Sequence, residues 1–505
     1  MKRSGFLASL AALAVVVSAC GTRLPDGEFL RAAGNAYSSD PTGLGAGSAD
    51  GGTASGGLGL PGTDSDGGTS SGSGASGSGG PVSTGGGGGG TGSAKNFASD
   101  RGVTATTITV GNITPVGGPL GPEAFSGPSH GARAYFQALN ASGGVNGRTI
   151  KFLTCDDRED PEGNKACARN LIDKEKVFAF AANNTDAYAG AGLVNAAGVP
   201  DVGGIPIATA YYKYPMLFTI YGAGGYPRDG KNVGVKGTFY ENNAPFLWYR
   251  KHLGIKKAAV LFYAIPASSN RAAIVIDMLT KSGIEVVYTP NGGAGKDPAS
   301  PSWDTDVINM QSAGVEAFWQ VIDTAGIMNV CQAMDRYGFQ VKAAIASVAN
   351  WTSRIGRDFS APCRNSIYAD ANSVPYTMTS HPEIARFRAA MRRYDPNFPM
   401  QQWAVEGWAA ARLLTEGIRS MGPNVTRQGL IRFLRDRRGR GFPDDVMTPD
   451  WTQWRADSVD FSKQRRNYFS VARWQDSAGG WVAQTNPFDG YETPWYPHPI
   501  EDDGT

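Results

Sequence analysis

The stretch RTIKFLTCDDREDPEGNKACARNLIDKEKVFAFAANN, residues 148–184, decides the fold class. It begins with a mostly apolar run at 148–154, which predicts a strand. Asp160 followed by Pro161 predicts a helix start, because Asp is a preferred N-cap and Pro fits the first helical position. A second apolar run at 177–182 predicts another strand. A strand, a helix and a strand in this order predict a βαβ unit, which joins parallel strands.

The same alternation continues on both sides of this stretch. Upstream, the pattern predicts a strand at 106–110 and a helix at 129–142. Far downstream it predicts long helices at about 381–394 and 401–421, and a Trp/Tyr-rich tail at 451–498 that is partly β. Alternating strands and helices predict an α/β fold with doubly wound parallel sheets that carry helices on both faces.

The folded part is predicted at 99–505, and it divides into two lobes because the alternation stops and restarts. Lobe 1 takes about 105–222 together with part of 370–435. Lobe 2 takes about 240–352 together with a C-terminal extension. Ligands of doubly wound sheets bind at the carboxyl ends of the strands, so the loops at those ends, facing a cleft between the lobes, are the candidate site.

A Gly/Ser-rich tether is predicted at 38–98. Residues 41–100 contain 23 glycines, and no aromatic residue stands between Tyr37 and Phe97. Such a segment buries too little apolar surface to offset its chain entropy, so it is predicted to be disordered. A flexible chain of this length spans about 40–45 Å on average, which would hold a folded body away from a membrane.

The N-terminus combines a basic start, an apolar stretch at 6–17 and two small residues directly before Cys20. The apolar stretch is too short for a spanning helix and is typical of a signal peptide. The stretch ending at Cys20 resembles the bacterial lipobox, which implies cleavage before the cysteine and a diacylglycerol on its thiol. A plain secretory signal that leaves Cys20 unmodified is the alternative. The predicted segments are a signal peptide at 1–19 and a lipid-anchored segment at 20–37.

Four cysteines remain after Cys20, an even number in a compartment where disulfides persist. Four cysteines allow three pairings. We favour Cys155 with Cys167 and Cys331 with Cys363, because the members of each pair are near in sequence. Buried free thiols are the alternative.

Charge and motifs exclude several classes of function. Lys and Arg total 47 and Asp and Glu total 45, which does not suggest a nucleic-acid partner, and the basic run at 432–441 is interpreted as a solvated helix end. The chain has no C-x-x-C and its four histidines are scattered, so neither a metal site nor a cofactor is predicted.

An enzyme is not predicted. A G-x-S-x-G pattern is centred on Ser129. A nucleophile elbow needs a strand that runs straight into the turn, whereas a Gly/Pro loop precedes this serine. Ser129 is therefore interpreted as the N-cap of the helix that follows, and no catalytic residue is assigned.

Several stretches together resemble a type I periplasmic binding protein. "ITVGNITPVGGPLG", "GARAYFQALNASGGVNGRTIKFLTCDDREDPEGNKACARNLI" and "VFAFAANNTDAYAGAGLVNAAGVPDVG" are similar to its first lobe. "GIKKAAVLFYAIPASSNRAAIVIDMLTKSGIEVVY" and "WDTDVINMQSAGVEAFWQVIDTAGIMNVCQAMDRYGF" are similar to its second lobe. The resemblance covers roughly 105–440 and is to the branch that serves ABC importers of branched-chain amino acids, amides and urea.

The resemblance implies a fold and a function. The two lobes would be joined by a multi-strand hinge and would close on a small polar solute that is amino-acid- or amide-like. The closed form would deliver this solute to an ABC permease, with the protein lipid-anchored on the extracytoplasmic face of a bacterial membrane. A ligand sensor or a cell-surface interaction protein on the same fold is the alternative, and it would need a signalling partner.

The resemblance also implies the ligand contacts, which follow the strand ends of both lobes. From lobe 1 they are Thr114, Pro115, Val116, Gly117, Asn183, Asn184, Thr185, Ile205 and Pro206, with Trp403 from a late helix. From lobe 2 they are Tyr263, Asp323, Asn350 and Trp351.

Two departures from the family pattern weaken the prediction of a free α-amino acid. The loop at 347–351 has no carboxylate for a ligand ammonium, so Asp323 is the substitute candidate. The loop at 263–269 lacks the family's Tyr-Gly. A less charged ligand, stacked on or hydrogen-bonded to Tyr263, Asn350 and Trp351, is the other possibility.

Overall fold

The computed structural model describes residues 95–221, 238–300, 302–436, 446–447 and 465–499. The predicted signal peptide, Cys20 and nearly all of the predicted tether lie outside the described residues, as does the end of the basic run. Within the described ranges, no helix is both long enough and apolar enough to cross a membrane.

Lobe 1 begins with alternating strands and helices. In chain order they are β1 (Thr107–Ile113), α1 (Gly127–Ala141), β2 (Thr149–Cys155), α2 (Pro161–Arg169), β3 (Ala179–Ala181), α3 (Ala191–Ala196), β4 (Asp201–Gly204), α4 (Ala210–Lys213) and β5 (Leu217–Thr219). The five strands are parallel in the order β2-β1-β3-β4-β5. The predicted βαβ unit is β2-α2-β3, and Asp160 caps its helix by accepting the Gly163 N–H at 2.8 Å.

Helix α1 begins earlier than predicted. Its N-cap is Ser126 and it starts at Gly127, with Pro128 in the first turn, where a missing N–H is tolerated. Ser129 therefore lies inside the helix, where its Oγ is 3.3 Å from Thr154 Oγ1. The prediction that Ser129 caps the helix is wrong, because Pro128 already occupies a helical position.

Lobe 2 repeats the alternation. Its elements are β6 (Thr238–Asn242), α5 (Ala244–Leu253), β7 (Lys257–Phe262), α6 (Pro266–Lys281), β8 (Glu285–Tyr288), α7 (Asp304–Ser312), β9 (Ala317–Val321), α8 (Thr324–Tyr337), β10 (Ala343–Ala346), α9 (Ile355–Asp358), α10 (Ala361–Arg364) and β11 (Ile367–Ala371). Five parallel strands take the order β8-β7-β9-β10-β11, which is the topology of lobe 1 again. The predicted α/β fold with two doubly wound parallel sheets is confirmed.

Three helices then return to lobe 1. They are α11 (Pro382–Tyr394), α12 (Gln402–Ser420) and α13 (Arg427–Asp436). Helix α12 packs on α1 and β4, α11 packs on α1, and α13 packs on α12. Glycines allow the close crossing of α1 and α12, because a Cβ on Gly131 would stand 1.8 Å from the Ala404 carbonyl oxygen and one on Gly407 would stand 1.9 Å from that of Pro128.

The tail completes lobe 2. Its strands are β12 (Arg465–Asn467), β13 (Ser470–Gln475), β14 (Gly480–Ala483), β15 (Tyr491–Thr493) and β16 (Trp495–Pro499). The β13–β14 hairpin extends the second sheet by antiparallel pairing of β13 with β11. Strand β16 pairs with β6, and β12 pairs with β15. The C-terminal extension therefore supplies the edge of the second sheet.

Three tryptophans from the tail and from the loop after β10 form what we call the tryptophan cluster: Trp351, Trp474 and Trp481. The ring centroids of Trp351 and Trp481 are 5.6 Å apart, and those of Trp474 and Trp481 are 6.0 Å apart. Trp481 Nε1 also donates to the Thr352 carbonyl oxygen at 2.9 Å. The hairpin thereby fixes the loop that follows β10.

Both favoured disulfides are present, Cys155–Cys167 and Cys331–Cys363. The first joins the carboxyl end of β2 to α2 in lobe 1. The second joins α8 to α10 within the helical layer of lobe 2. Only the first therefore closes a loop at a strand end.

Candidate ligand-binding cleft

The carboxyl ends of the two sheets meet each other, and their contacts define the cleft. Glu123 from the β1–α1 segment pairs with Arg354 from the segment after β10, at 2.8 Å. Gln401, just before α12, donates from Nε2 to the Ala349 carbonyl oxygen at 2.7 Å. Gln402 N donates to the Trp351 carbonyl oxygen at 2.9 Å. The strand-end loops of both lobes therefore face each other, at the usual place for a ligand of a doubly wound sheet.

The loop after β1 presents some of the predicted residues toward solvent. Thr114 is buried and its Oγ1 donates to the Asn184 carbonyl oxygen at 3.0 Å, and Pro115 is buried beside it. Val116 is 41% exposed, a high value for an apolar side chain, and Gly117 is half-buried. Val116 and Gly117 are thus the predicted residues of this loop that remain open to a ligand.

The predicted residues after β3 are buried and hydrogen-bonded inside lobe 1. Asn183 Oδ1 accepts from Ile113 N at 2.7 Å, and its Nδ2 donates to Tyr188 Oη at 2.7 Å. Asn184 Nδ2 donates to a carbonyl oxygen of the β1–α1 segment at 2.7 Å, and Thr185 Oγ1 accepts from a buried asparagine at 3.3 Å. These bonds hold neighbouring loops together, and contact with a ligand remains a prediction.

The two predicted residues after β4 differ in exposure. Ile205 is buried, and its N–H donates to the Asn183 carbonyl oxygen at 2.9 Å. Pro206 is half-buried. The loops after β3 and β4 are therefore tied together, with Pro206 the more accessible of the two.

In lobe 2, Tyr263 and Asp323 form a pair. Tyr263 Oη donates to Asp323 Oδ1 at 2.6 Å. Burial and then the Asp323 carboxylate raise the pKa of the Tyr263 hydroxyl well above its usual range. Asp323 is also the N-cap of α8, accepting from Gly326 N at 3.0 Å and Ala325 N at 3.1 Å. Three donors already occupy acceptor positions of this side chain, which leaves fewer of them for a ligand ammonium.

Asn350 and Trp351 have contacts within lobe 2. Asn350 Oδ1 accepts from Thr324 Oγ1 at 2.7 Å, and its Nδ2 donates to the Ile322 carbonyl oxygen at 3.0 Å. Trp351 is fully buried in the tryptophan cluster. The Trp351 Nε1 is buried and has no hydrogen-bond partner among the described residues. The stacking or hydrogen bonding of Asn350 and Trp351 with a ligand stays a prediction.

Trp403 lies at the first turn of α12, between the β1–α1 segment and the hinge. Its ring stacks on Phe125 with centroids 6.5 Å apart, and its Nε1 donates to Tyr221 Oη at 2.9 Å. Trp403 is 7% exposed. It therefore joins a cleft loop to the chain segment that leaves lobe 1.

Sequence reasoning missed a buried carboxyl group at the hinge. Tyr221 follows β5 and donates to Glu406 Oε2 at 2.6 Å, while Ser373 follows β11 and donates to Glu406 Oε1 at 2.8 Å. The third passage between the lobes runs beside Ser373, since Val374 N donates to the Val446 carbonyl oxygen at 2.6 Å. We call Tyr221, Ser373 and Glu406 the hinge network.

Glu406 is fully buried, and burial raises the pKa of its carboxyl to about 8, although the hydrogen bonds from Tyr221 and Ser373 oppose this shift. Burial therefore favours the neutral form of this carboxyl. The sequence signal was a glutamate among alanines and tryptophans in the apolar part of a helix. An ionisable residue in such a position needs buried partners.

Glu159, after β2, was also missed. Burial first raises the pKa of its carboxyl to about 7, and the carboxylates of Asp186, Asp157 and Asp323 add to this shift, while a hydrogen bond from Leu120 N opposes it. Asp323 belongs to lobe 2, so the pKa of Glu159 is also raised by a charge from the other lobe. Within the described residues, no group of three or more His, Cys, Asp or Glu side chains is placed to hold a metal ion.

A family profile described as periplasmic binding protein matches residues 107–475 of this chain. That match spans both sheets and the three helices that return to lobe 1. No curated protein matches the chain.

Solved structures share the fold at low sequence identity. A fatty acid ABC transporter substrate-binding protein from Thermomonospora curvata is 15% identical, with a TM-score of 0.58, covering 78% of this chain and 95% of that one. An ABC transporter solute-binding protein from R. palustris in complex with benzoate is 16% identical, with a TM-score of 0.57 and coverage of 76% and 97%. A leucine-binding protein from Thermotoga maritima is 16% identical, with a TM-score of 0.54 and coverage of 75% and 98%.

Proposed function

Because this chain belongs to the periplasmic binding protein family, we propose that it is the substrate-binding component of an ABC importer. It captures a small polar solute between its two lobes and presents the closed form to a membrane permease. Ligand binding favours the closed shape, and the permease can distinguish this closed shape from the empty protein.

The observation that supports this proposal most is the meeting of two equivalent strand-end faces. Both sheets have the same strand order, and the Glu123–Arg354 ion pair joins the loops at their carboxyl ends. The chain just after β5 and the chain just after β11 both contact one buried network, because Tyr221 and Ser373 donate to Glu406. Two strand-end faces that meet beside such a network are suited to hinge closure around a ligand.

We propose that the solute is amino-acid- or amide-like and carries less charge than a free α-amino acid. Asp323 is already bonded to Tyr263 and to two main-chain N–H groups, so it is a weak partner for an ammonium. The solute-binding protein from R. palustris that shares this fold was solved in complex with benzoate, a carboxylate without an amino group. A neutral or weakly polar solute is also consistent with an Asp323 that is already hydrogen-bonded, because such a solute needs no carboxylate partner.

We propose that the protein is lipid-anchored through Cys20 on the extracytoplasmic face of a bacterial membrane. The support is the lipobox-like N-terminus and the Gly/Ser-rich tether in the sequence, together with two disulfides, which persist outside the cytoplasm. A Cys20→Ala variant is expected to leave the membrane fraction, whereas the unchanged chain stays with it. A variant that remains in the membrane fraction as fully as the unchanged chain would contradict the anchor.

Uptake by intact cells tests the transport function. Labelled L-leucine, benzoate, acetamide and urea would be offered to cells that carry the gene, to cells that lack it and to cells in which the intact chain is restored. We expect uptake of one solute to fall on deletion and to return on restoration. Unchanged uptake of a solute that the purified protein binds would contradict transport and favour a sensor that signals to a partner.

A further inference from the structure

The loop after β1 is held mainly by carboxylates from a neighbouring loop. Val116 N donates to Asp156 Oδ1 at 2.8 Å, and Gly117 N donates to Asp156 Oδ2 at 3.1 Å. Leu120 N donates to Glu159 Oε1 at 3.2 Å. The side-chain oxygens of Asp156 and Glu159 therefore accept three main-chain N–H groups and fix the main chain of the predicted ligand loop.

The main chain approaches the carboxylates at glycines. A Cβ on Gly117 would stand 3.2 Å from Asp156 Oδ2. A Cβ on Gly118 would stand 2.8 Å from Glu159 Oε1, and the φ of Gly118 is +139°, which side chains rarely adopt. The two loops therefore fit each other closely along this stretch.

The segment that carries the carboxylates is itself constrained. Arg158 and Glu159 both have φ of 58°, a left-handed conformation that costs energy for residues other than glycine. Asp157 helps to hold it, since its Oδ1 accepts from Glu159 N at 3.3 Å and its Oδ2 accepts from Asn164 Nδ2 at 2.7 Å. The Cys155–Cys167 disulfide closes the same segment at both ends.

Such strain persists only where the surroundings determine the conformation, and it is concentrated at functional sites. The loop held in this way leaves Val116 exposed and Gly117 half-buried. A loop that is ordered before its ligand arrives avoids the entropic cost of ordering on binding.

We propose that Asp156 and Glu159 are positioning residues that hold the 114–121 loop in its ligand-ready shape, and that the Cys155–Cys167 disulfide keeps them in place. This proposal deepens the proposed function, since it rests on the 114–121 loop being part of the ligand site. We call this arrangement the carboxylate clamp. It makes the affinity of the cleft depend on a disulfide and on two side chains that need not touch the ligand.

Amide hydrogen exchange in the full chain tests the clamp without a ligand. Mass spectrometry of peptides that cover 114–121 would compare the unchanged chain with Asp156→Ala and Glu159→Ala. We expect exchange in this loop to become about tenfold faster in both variants, because the acceptor of a main-chain hydrogen bond is lost in each. Glu162→Ala is the matched control, because its side chain is 74% exposed on α2 and pairs only with Lys165 among its described ion-pair partners.

Three further variants separate positioning from general stability. Glu159→Gln keeps an acceptor for Leu120 N and is expected to keep the loop protected, so it is the conservative rescue of Glu159→Ala. Cys155→Ser with Cys167→Ser is expected to speed exchange at 114–121. Cys331→Ser with Cys363→Ser, which removes the disulfide of lobe 2, is expected to leave that loop unchanged.

Unchanged exchange at 114–121 in Asp156→Ala and Glu159→Ala would overturn the clamp. An equal increase in Glu162→Ala would overturn it as well, because the effect would then be a general loss of stability. A solute panel measured by calorimetry, with L-leucine and benzoate as the first probes, tests the function separately. If no solute of the panel binds, the proposed function is overturned. The exchange rates at 114–121 test the carboxylate clamp independently of that result.

Discussion

The two lobes have one strand order and two different ways of holding their cleft loops. In lobe 1, helix α12 packs on the sheet after the chain returns, while α11 and α13 pack on other helices. The strand-end loops of this lobe are held by hydrogen bonds, among them those of Asp156 and Asn183. In lobe 2, an antiparallel hairpin extends the sheet, and the loop after β10 is held by the tryptophan cluster. With the same topology, the lobe 1 side of the cleft is held by hydrogen bonds, and the loop after β10 on the lobe 2 side is held by aromatic packing.

The disulfides follow the same division. Cys155–Cys167 closes a loop at the cleft edge of lobe 1, whereas Cys331–Cys363 links two helices in lobe 2. A cross-link at a strand end acts on loop order, and a cross-link between packed helices acts on the stability of the lobe. We therefore expect changes in lobe 2 to cost mainly stability, and changes in lobe 1 to cost mainly loop order and pH response.

The largest expected effect is in the tryptophan cluster. Trp351→Ala should lower the free energy of unfolding by about 3–5 kcal/mol, because it leaves a large cavity at a fully buried site. Urea unfolding measures this loss, with Phe488→Ala as a control at a side chain that is 44% exposed. A loss no larger than that of the control, together with weaker solute binding, would instead place Trp351 against the ligand.

Removal of the disulfides is expected to have the next largest effect on the free energy of unfolding. In the chain-entropy account, removing Cys331–Cys363, with a separation of 32 residues, should cost about 4 kcal/mol, and removing Cys155–Cys167, with a separation of 12, should cost about 3 kcal/mol. Urea unfolding of the two paired serine variants gives both values. The shorter loop closed by Cys155–Cys167 should make its removal the less costly of the two. A lobe 1 variant that is less stable than the lobe 2 variant would contradict this comparison.

The hinge network should make stability depend on pH. The pKa of Glu406 is about 8 in the folded chain, against an ordinary value of 4.5, so the folded state binds the proton more tightly. Stability from this group is present at low pH and is lost as the pH rises from about 5 through about 8. In Glu406→Gln, the fall in melting temperature over this range should be smaller.

The control for the hinge is Glu416→Gln, on the same helix at a side chain that is 25% exposed. It should keep the pH dependence of the unchanged chain. An identical pH profile for Glu406→Gln and the unchanged chain would contradict a neutral carboxyl at the hinge.

A smaller effect of the same sign is expected on the wall of lobe 1. The pKa of Glu159 is raised to about 7 from 4.5, so ionisation of this group disfavours the fold as the pH rises toward about 7. Glu159→Gln should therefore melt higher than the unchanged chain at about pH 8, and the difference should disappear near pH 4. A lower melting temperature at about pH 8 would show that the ionised group stabilises the fold.

The sequence predicted the alternation of elements because each apolar run is bounded by turn residues and caps, as at Asp160-Pro161. It also favoured the correct disulfides, since the paired cysteines are near in sequence. These are local signals. They do not depend on where distant segments pack.

Side-chain direction at the strand ends could not be predicted in the same way. Residues such as Asn183 and Asn350 stand at the right ends of the strands, but their partners lie on other loops and determine whether they face a ligand or the lobe interior. Glu406 has partners 185 and 33 residues away, which no local pattern reveals. The fold could be predicted because it follows from local signals. The site could not, because its side chains are placed by long-range hydrogen bonds of this kind.

The most direct test of the central claim is the melting temperature of the full chain, under oxidising conditions, against branched-chain amino acids, short amides, urea, benzoate and fatty acids. A solute present at about 100 times its dissociation constant should stabilise the fold by about 2.7 kcal/mol. If the chain is a solute-binding protein, its melting temperature should rise clearly with one class of solute. A well-folded chain whose melting temperature does not change with any of them would contradict solute binding in the cleft.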